Sequence, residues 1–202
     1  MSRETLRAFL AVTLPSELRR LALARAARLR LRLGSQVRWV PEENLHLTLK
    51  FLGDIDPERV PVLVRNAQAK LGRQKPFSVA LGGLGSFPDA RRARIIWLGV
   101  SRGAAELARL ARRLDAAAAR IGVERERRPY RAHLTLGRLR QPSAIPLAEL
   151  APAPDAEPPC FEVSEVVLYE SRLSPSGASH VPLAHLLLQE VDASQSEFAP
   201  ES

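Results

Sequence analysis

The sequence is poor in several residue types, and each shortage narrows what the chain can be. One cysteine, Cys160, occurs among 202 residues, which excludes an internal disulfide and a cysteine cage for zinc. We therefore expect a reducing cytoplasm as its location and a buried structural role for this thiol. No apolar run approaches the roughly 18 to 20 residues of a membrane helix, so no membrane association is expected. The short apolar run at 8–14 predicts a strand rather than a signal peptide.

Lysine is scarce although the chain is strongly basic. The formal net charge is +8 and the isoelectric point lies near 10.8, yet only three of the 30 basic residues are lysines. A basic surface favours an anionic partner such as RNA. Arginine-rich codon usage in a GC-rich genome explains the same composition, so charge alone leaves both interpretations open.

Histidine and threonine are scarce too, with four of each, and half of them fall in two identical tetrapeptides. His46 and Thr48 lie in NLHLTLKFLG, and His133 and Thr135 lie in YRAHLTLGRL. A single His-x-Thr on a strand usually marks a half-exposed sheet face. Chance placement would rarely put half of the histidines and half of the threonines into two identical tetrapeptides. We interpret the pair as functional, or as the trace of a functional duplication.

The chemistry of these tetrapeptides follows from strand geometry. Side chains alternate between the faces of a strand, so the leucines anchor one face while His and Thr share the other. If two such strands face each other, two imidazoles and two hydroxyls converge in a cleft. Two imidazoles can act as general base and general acid in one displacement, and hydroxyls can stabilise charge on a nonbridging oxygen. The pattern therefore indicates acid–base chemistry on a phosphodiester.

Other kinds of site have less support in the sequence. Two histidines without nearby carboxylates fall short of the three protein ligands usual for catalytic zinc, since the acid nearest a motif, Glu43, would sit near the end of its strand. We expect no metal and no cofactor. A serine or cysteine triad also lacks support, because Cys160 lies in a proline-rich region away from both histidines.

The remaining segments alternate between short apolar runs and amphipathic helices. Predicted strands cover residues 6–13, 37–40, 45–52, 77–84, 94–100, 130–139, 162–169 and 183–191. Predicted helices cover 16–34 and 57–71 and a second long segment before the second HLTL. The long helices have apolar stripes at Leu18, Ala22, Ala26, Leu29 and Leu33, and at Leu107, Leu110, Leu114, Ala118 and Ile121. Residues 141–159 hold six of the sixteen prolines, which predicts a loop or strap.

The order of these elements indicates an internal duplication. Phe9, in a strand, precedes the first long helix and lies 37 residues before His46. Trp97, in another strand, precedes the second long helix and lies 36 residues before His133. We predict two similar lobes related by pseudo-two-fold symmetry, interleaved in one domain at 1–191, with a flexible tail at 192–202.

The motifs closely resemble those of the 2H phosphoesterase superfamily, and within it the bacterial and archaeal RNA 2′,3′-cyclic phosphodiesterases, historically called 2′-5′ RNA ligases. The matching segments cover nearly the whole chain: RAFLAV (7–12), WVPEENLHLTLKFLG (39–53), SFP (86–88), RIIWLGV (94–100), PYRAHLTLGR (129–138) and SRLSPSG (171–177). The resemblance implies an α+β, bilobal fold in which two pseudo-symmetric lobes, each with an antiparallel sheet and flanking helices, surround a central cleft.

The resemblance also implies an activity and a role for each motif residue. An RNA 2′,3′-cyclic phosphate terminus would be opened to a 2′-phosphomonoester without a metal ion. His46 would be the proton donor to the leaving 3′ oxygen, and His133 would be the proton acceptor from water. Thr48 and Thr135 would hold the phosphate.

Four further positions carry weaker expectations. Arg138 matches a family arginine expected near the phosphate or ribose; the alternative is a solvent-facing arginine at a strand end. Phe51 would stack on a base, or else belong to the core. Relatives tend to carry a tyrosine shortly after the glycine of SRLSPSG, whereas GASHVPL places His180 there. We interpret His180 and His185 as ordinary surface or sheet residues.

Expected partners are RNA with 2′,3′-cyclic phosphate ends, or small cyclic or 2′-5′ nucleotides, and the chain is expected to be a monomer. One alternative is a 2′-5′ RNA ligase or a phosphodiesterase for other small nucleotides. Another is a non-catalytic module that binds RNA or nucleotides and keeps the fold. The two intact His-x-Thr pairs argue against a non-catalytic module, because a decayed site would tend to lose one of them.

Overall fold

The computed structural model describes residues 5–72, 74–150, 159–175 and 177–189. Its helices are α1 (Ser16–Leu33), α2 (Val60–Leu71), α3 (Ala104–Ala119) and the short α4 (Leu147–Leu150). Its strands are β1 (Leu6–Thr13), β2 (Val37–Trp39), β3 (His46–Ile55), β4 (Phe77–Phe87), β5 (Ala93–Arg102), β6 (His133–Ser143), β7 (Cys160–Val163), β8 (Glu165–Ser174) and β9 (Gly177–Leu187). The predicted tail at 192–202 lies outside the described residues.

Two antiparallel sheets organise the chain, which confirms the predicted α+β class. The first sheet has the strand order β3-β1-β8-β9, and the second has the order β2-β6-β5-β4-β7. In both sheets the HLTL strand pairs with the strand that precedes its helix, β3 with β1 and β6 with β5. The strand beyond is β8 in the first sheet and β4 in the second. The two units therefore repeat one topology, as the duplication predicted.

The long helices cross over between the two sheets. Helix α1, from the first unit, contacts β2 and β6 of the second sheet, while α3, from the second unit, contacts β3 of the first sheet. Helix α2 packs beside α3 and against β9. The two units are thus interleaved. Each sheet has helices on one face, and the leucines of its HLTL strand are buried beneath them.

The predicted helix stripes are confirmed. All five stripe residues of α1 are buried, as are those of α3 together with Ile121 just beyond its end. Helix α1 ends before Gly34, whose φ of +53° lies in the left-handed region that glycine adopts readily. No helix among the described residues is long and apolar enough to cross a membrane.

The strand register corrects one detail of the duplication. Thr48 lies opposite Ala11, and Thr135 lies opposite Trp97. The positional counterpart of Trp97 is therefore Ala11. Phe9, which the spacings of 37 and 36 residues matched with Trp97, lies two residues away from the equivalent position. Phe9 nevertheless contacts His46 of its own lobe from this position, where it lies opposite Phe51.

The segment after the prolines differs most from prediction. Residues 162–169 were expected to form one strand, but the chain changes sheet at Ser164, so β7 belongs to the second sheet and β8 to the first. Both strands bury apolar side chains, such as Phe161 and Val166, so hydrophobicity alone does not mark the crossing. Cys160, expected to be buried, is exposed on β7. The last strand runs over Gly177–Leu187 rather than 183–191.

Candidate active site

The two HLTL strands place their histidines and threonines on the sheet faces that the helices leave open. On β3, His46 and Thr48 are half-buried while Leu47 is fully buried between them. The burial pattern of β6 is the same over its first four residues. The alternation predicted from strand geometry is therefore confirmed on both strands.

A bulge at the last leucine of each motif turns the residue five positions after the histidine toward the open face. The pairing of β3 with β1 passes over Leu49, and the pairing of β6 with β5 passes over Leu136 in the same place. The extra residue shifts the alternation by one. As a result Phe51 and Arg138, each five residues after its histidine, are exposed on the face that carries His and Thr.

The bulges bear on the alternatives for both side chains. Phe51 is 64% exposed, so the core interpretation is wrong. Arg138 does not end its strand, because β6 continues to Ser143, and its charge is near enough to affect the pKa of His133. Both side chains are exposed in equivalent positions of the two lobes, and their contact with substrate stays a prediction.

The two imidazoles are held in the same way. Nδ1 of His46 lies 2.8 Å from the Asn44 carbonyl oxygen, and Nδ1 of His133 lies 2.7 Å from the Arg131 carbonyl oxygen. A carbonyl can only accept, so Nδ1 carries the hydrogen in both rings. Nε2 of the neutral imidazole is then the basic nitrogen. In His46 it lies 2.9 Å from Oγ1 of Thr48, whose hydroxyl donates to it.

Burial and neighbouring charges lower the basicity of both histidines. Burial lowers the pKa of His46 to about 4, with further lowering by His180 and His133 and a partial opposing effect of the Asn44 carbonyl. Burial also lowers the pKa of His133, and the Arg138 and Arg131 charges act in the same direction.

Aromatic rings surround His46. Phe9 stacks on the imidazole with 4.7 Å between ring centroids, and Tyr169 stacks on Phe9 with 5.3 Å between centroids. The Tyr169 hydroxyl hydrogen-bonds Oγ1 of Thr13 at 2.9 Å. His180 stands edge-on to His46 at 5.2 Å. His180 is a sheet residue, as expected, but it is not an ordinary one.

His133 has different neighbours. Phe87 meets its ring edge-on at 4.9 Å, and Trp97 lies at 6.2 Å. The Arg131 guanidinium covers both aromatic rings, at 5.6 Å from Phe87 and 5.7 Å from Trp97. The indole in turn lies flat over Gly85, where any Cβ would collide with the ring. Guanidinium groups and large rings therefore define this half of the site.

The segment that leads into the second motif is tied to the first. The Tyr130 hydroxyl donates to the Thr48 carbonyl oxygen at 3.0 Å. Beneath the first bulge, Lys50 forms a buried ion pair with Asp115 of α3 at 2.8 Å and donates to the Glu124 carbonyl oxygen. Desolvation opposes the charge on Asp115, but hydrogen bonds from Lys50 and the Glu126 N–H outweigh it and lower the pKa of this carboxyl. These contacts fix the two motifs relative to each other.

The fourth histidine lies apart from the site. His185 is exposed on β9 and contacts the Glu165 carboxylate at 3.0 Å, in agreement with the surface role expected for it. Across the described ranges, no three His, Cys, Asp or Glu side chains are grouped closely enough to hold a metal ion.

Paired His-x-Thr strands on two such sheets define the class of two-histidine phosphoesterases. The chain belongs to the LigT-like phosphoesterase family, whose model matches it twice, at residues 12–97 and 98–179. Each match contains one HLTL strand, in agreement with the duplication of the motif.

Several relatives carry the same functional name. The chain is 38% identical over 176 residues to the RNA 2′,3′-cyclic phosphodiesterase of Methanothermobacter thermautotrophicus, which covers 85% of this chain and 92% of that protein. It is 32% identical over 185 residues to the Escherichia coli protein of that name, covering 89% and 95%. A match at 38% identity to the Geobacillus stearothermophilus protein of that name spans 67% of this chain but only 43% of that longer relative.

Solved structures agree with these matches. The crystal structure of E. coli LigT in its apo form has a TM-score of 0.70 at 30% identity and covers 93% of this chain and 99% of LigT. The complex of E. coli LigT with 3′-AMP has a TM-score of 0.71 at 30% identity, with 93% and 100% coverage.

Proposed function

We propose that the chain hydrolyses 2′,3′-cyclic phosphate ends of RNA to 2′-phosphomonoesters by acid–base catalysis with His46 and His133. The observation that carries the proposal is the matched anchoring of the two imidazoles. Each Nδ1 is held by the carbonyl two residues earlier, so Nε2 is the reactive nitrogen of both rings, and in His46 it accepts from the Thr48 hydroxyl. The names of the relatives supply the substrate class.

The reaction follows from two proton transfers. Nε2 of His133 accepts a proton from water as the water oxygen attacks phosphorus. The bond from phosphorus to the 3′ oxygen breaks, and Nε2–H of His46 gives its proton to that oxygen, leaving the phosphate on the 2′ oxygen. Thr48 and Thr135 donate hydrogen bonds to the nonbridging oxygens. Arg138 adds positive charge on the His133 side.

The donor role requires His46 to gain a proton when substrate binds. With a pKa of about 4 in the empty cleft, this imidazole is neutral at pH 7. A phosphodiester anion beside the ring favours the charged form and raises the pKa. Proton uptake on binding is therefore part of the proposed mechanism. His133 needs no such change, because burial already favours its neutral, basic form.

The donors that this chemistry needs are all side chains of the described site. Two hydroxyls, one imidazolium and nearby guanidinium groups face the developing negative charge, and opening of the strained five-membered ring assists departure of the leaving group. We therefore propose that turnover is independent of added metal.

Hydrolysis of an oligoribonucleotide that ends in a 2′,3′-cyclic phosphate tests the proposal. In excess EDTA, the wild type should form a 2′-phosphate, and His46→Ala and His133→Ala should each lose nearly all activity. His185→Ala, on the same strand as His180 but remote from the site, is the matched control and should retain it. A 3′-phosphate product, or loss of activity in EDTA, contradicts the mechanism.

A sulfur leaving group separates the roles of the two histidines. In a nucleoside 2′-O,3′-S-cyclic phosphorothiolate the leaving thiolate departs without a proton, so the substrate bypasses the acid but not the base. His46→Ala should recover most of its activity on this substrate, whereas His133→Ala should not. Recovery by His133→Ala alone would exchange the two assignments.

A further inference from the structure

His180 occupies a place in the site that the sequence did not indicate. Its ring stands edge-on to both Phe9, at 4.8 Å, and His46, at 5.2 Å, and it lies 6.2 Å from Tyr169. The side chain is half-buried. A third imidazole thus borders the same open face as the histidine proposed to protonate the leaving group.

One buried residue fixes the distance between His180 and His46. Asn44, only 9% exposed, donates through its side-chain amide to the Ala178 carbonyl oxygen at 2.7 Å. The backbone carbonyl of the same Asn44 accepts from Nδ1 of His46 at 2.8 Å. Strand β9 is therefore held two residues before His180 by the residue that orients His46. The proximity of the two rings is built into the fold.

The two ring nitrogens of His180 can form hydrogen bonds for which the described residues supply no partner. No other group within the described residues forms a hydrogen bond with either nitrogen, in contrast to His46, His133 and His185, whose Nδ1 atoms are all engaged. A half-buried imidazole beside the group proposed to be catalytic, with one ring N–H donor and one acceptor nitrogen unengaged within the described residues, is suited to bind a polar ligand.

The second lobe has no equivalent of this imidazole. The topological counterpart of β9 is β7, which covers only Cys160–Val163 and pairs with β4 at Phe77–Ala80, away from His133. Arg131 and Arg138 supply the positive charge near His133 instead. Guanidinium groups therefore border the His133 side of the site, whereas imidazoles border the His46 side.

We propose that His180 is a substrate-binding residue, whose ring N–H donates a hydrogen bond to the anionic phosphate ester on the His46 side. This inference rests on the proposed function and deepens it. Because the contact is made to a charge that the bound substrate already carries, its loss weakens binding in the ground state and the transition state alike. The effect therefore falls on KM more than on kcat.

Steady-state kinetics of two variants test the proposal. His180→Phe keeps a ring against Phe9 and His46 but removes both nitrogens, and should raise KM by about tenfold, the loss of one charge-assisted hydrogen bond, while kcat changes little. His180→Gln keeps an N–H donor and should recover part of the affinity. The matched control, His185→Phe, should have the KM of the wild type. Circular dichroism spectra and melting curves show whether each variant is folded.

The outcomes separate this inference from the proposed function. Wild-type protein that fails to open the cyclic phosphate contradicts the proposed function. Active wild-type protein with an unchanged KM in His180→Phe overturns the role of His180 alone. A fall in kcat without a rise in KM also overturns it, because that result indicates an effect on the position of His46. Equal KM values for the Phe and Gln variants overturn the hydrogen bond.

Discussion

The low basicity of His46 has a consequence for stability that can be measured without substrate. The unfolded chain takes up a proton on this imidazole near pH 6.5, whereas the folded protein holds its pKa at about 4. Between these values the unfolded state binds more protons than the native state, so stability falls as the pH falls. Above pH 6.5 both states are neutral at this site and the contribution is absent.

The size of the effect follows from the two pKa values. The difference between a pKa of 6.5 and one of about 4 corresponds to about 3 kcal/mol in full, and lowering the pH from 7.5 to 4.5 realises most of it. His46→Gln removes the ionisable group. The variant should therefore lose roughly 2 to 3 kcal/mol less stability than the wild type over the same pH change, whatever the cost of the substitution at pH 7.5.

Urea denaturation at the two pH values, followed by tryptophan fluorescence, measures this difference. Carboxylates also titrate in this range, but they do so in both proteins and cancel in the comparison. An equal acid-side loss in wild type and variant refutes the reasoning, because it means that His46 is as basic in the folded protein as in the unfolded chain. Such a result would also remove the need for proton uptake on substrate binding.

Two further substitutions test the supports of the site. Tyr130→Phe removes the hydroxyl that donates to the Thr48 carbonyl oxygen and should cost about 1 kcal/mol of stability in urea denaturation; an unchanged value contradicts the link between the motifs. Gly85→Ala drives a methyl group into the Trp97 ring and should lower kcat on the cyclic phosphate by disturbing the neighbours of His133. Gly83→Ala, with nothing within 4 Å of the added Cβ, is its matched control, and equal kcat values for the two contradict the packing argument.

The sequence predicted the features that depend on local periodicity. The stripe that begins at Leu18 defined the buried face of α1, and the alternation around His46 defined the open face of β3. Repetition of the HLTL strand within a repeated order of elements was enough to predict two related lobes. Each of these patterns reports a preference within a few residues, which survives in any tertiary environment that offers a core on one side.

The features that sequence reasoning missed depend on contacts between distant segments. His180 is 134 residues from His46, and tertiary contacts, among them the hydrogen bond from the Asn44 amide to β9 and the packing of both rings on Phe9, bring the two rings together. The bulges at Leu49 and Leu136 are set by pairing with β1 and β5, so the exposure of Phe51 was open to two interpretations. The change of sheet at Ser164 is likewise invisible to periodicity, because strands of both sheets bury similar side chains.

Under the proposed function, the unequal surroundings of the two histidines would give the substrate an orientation that a symmetric motif cannot give. On the same proposal, Arg131 and Arg138 beside His133 would attract the anionic oxygens, while the exposed ring of Phe51 on the His46 side would offer a surface for the nucleoside. We infer that the ribose oxygens of a bound cyclic phosphate then face His46, and that the free side of phosphorus faces His133. In that orientation the leaving oxygen meets His46 and water meets His133. Acid and base roles would thus follow from the neighbours of each imidazole, although the two tetrapeptides are identical.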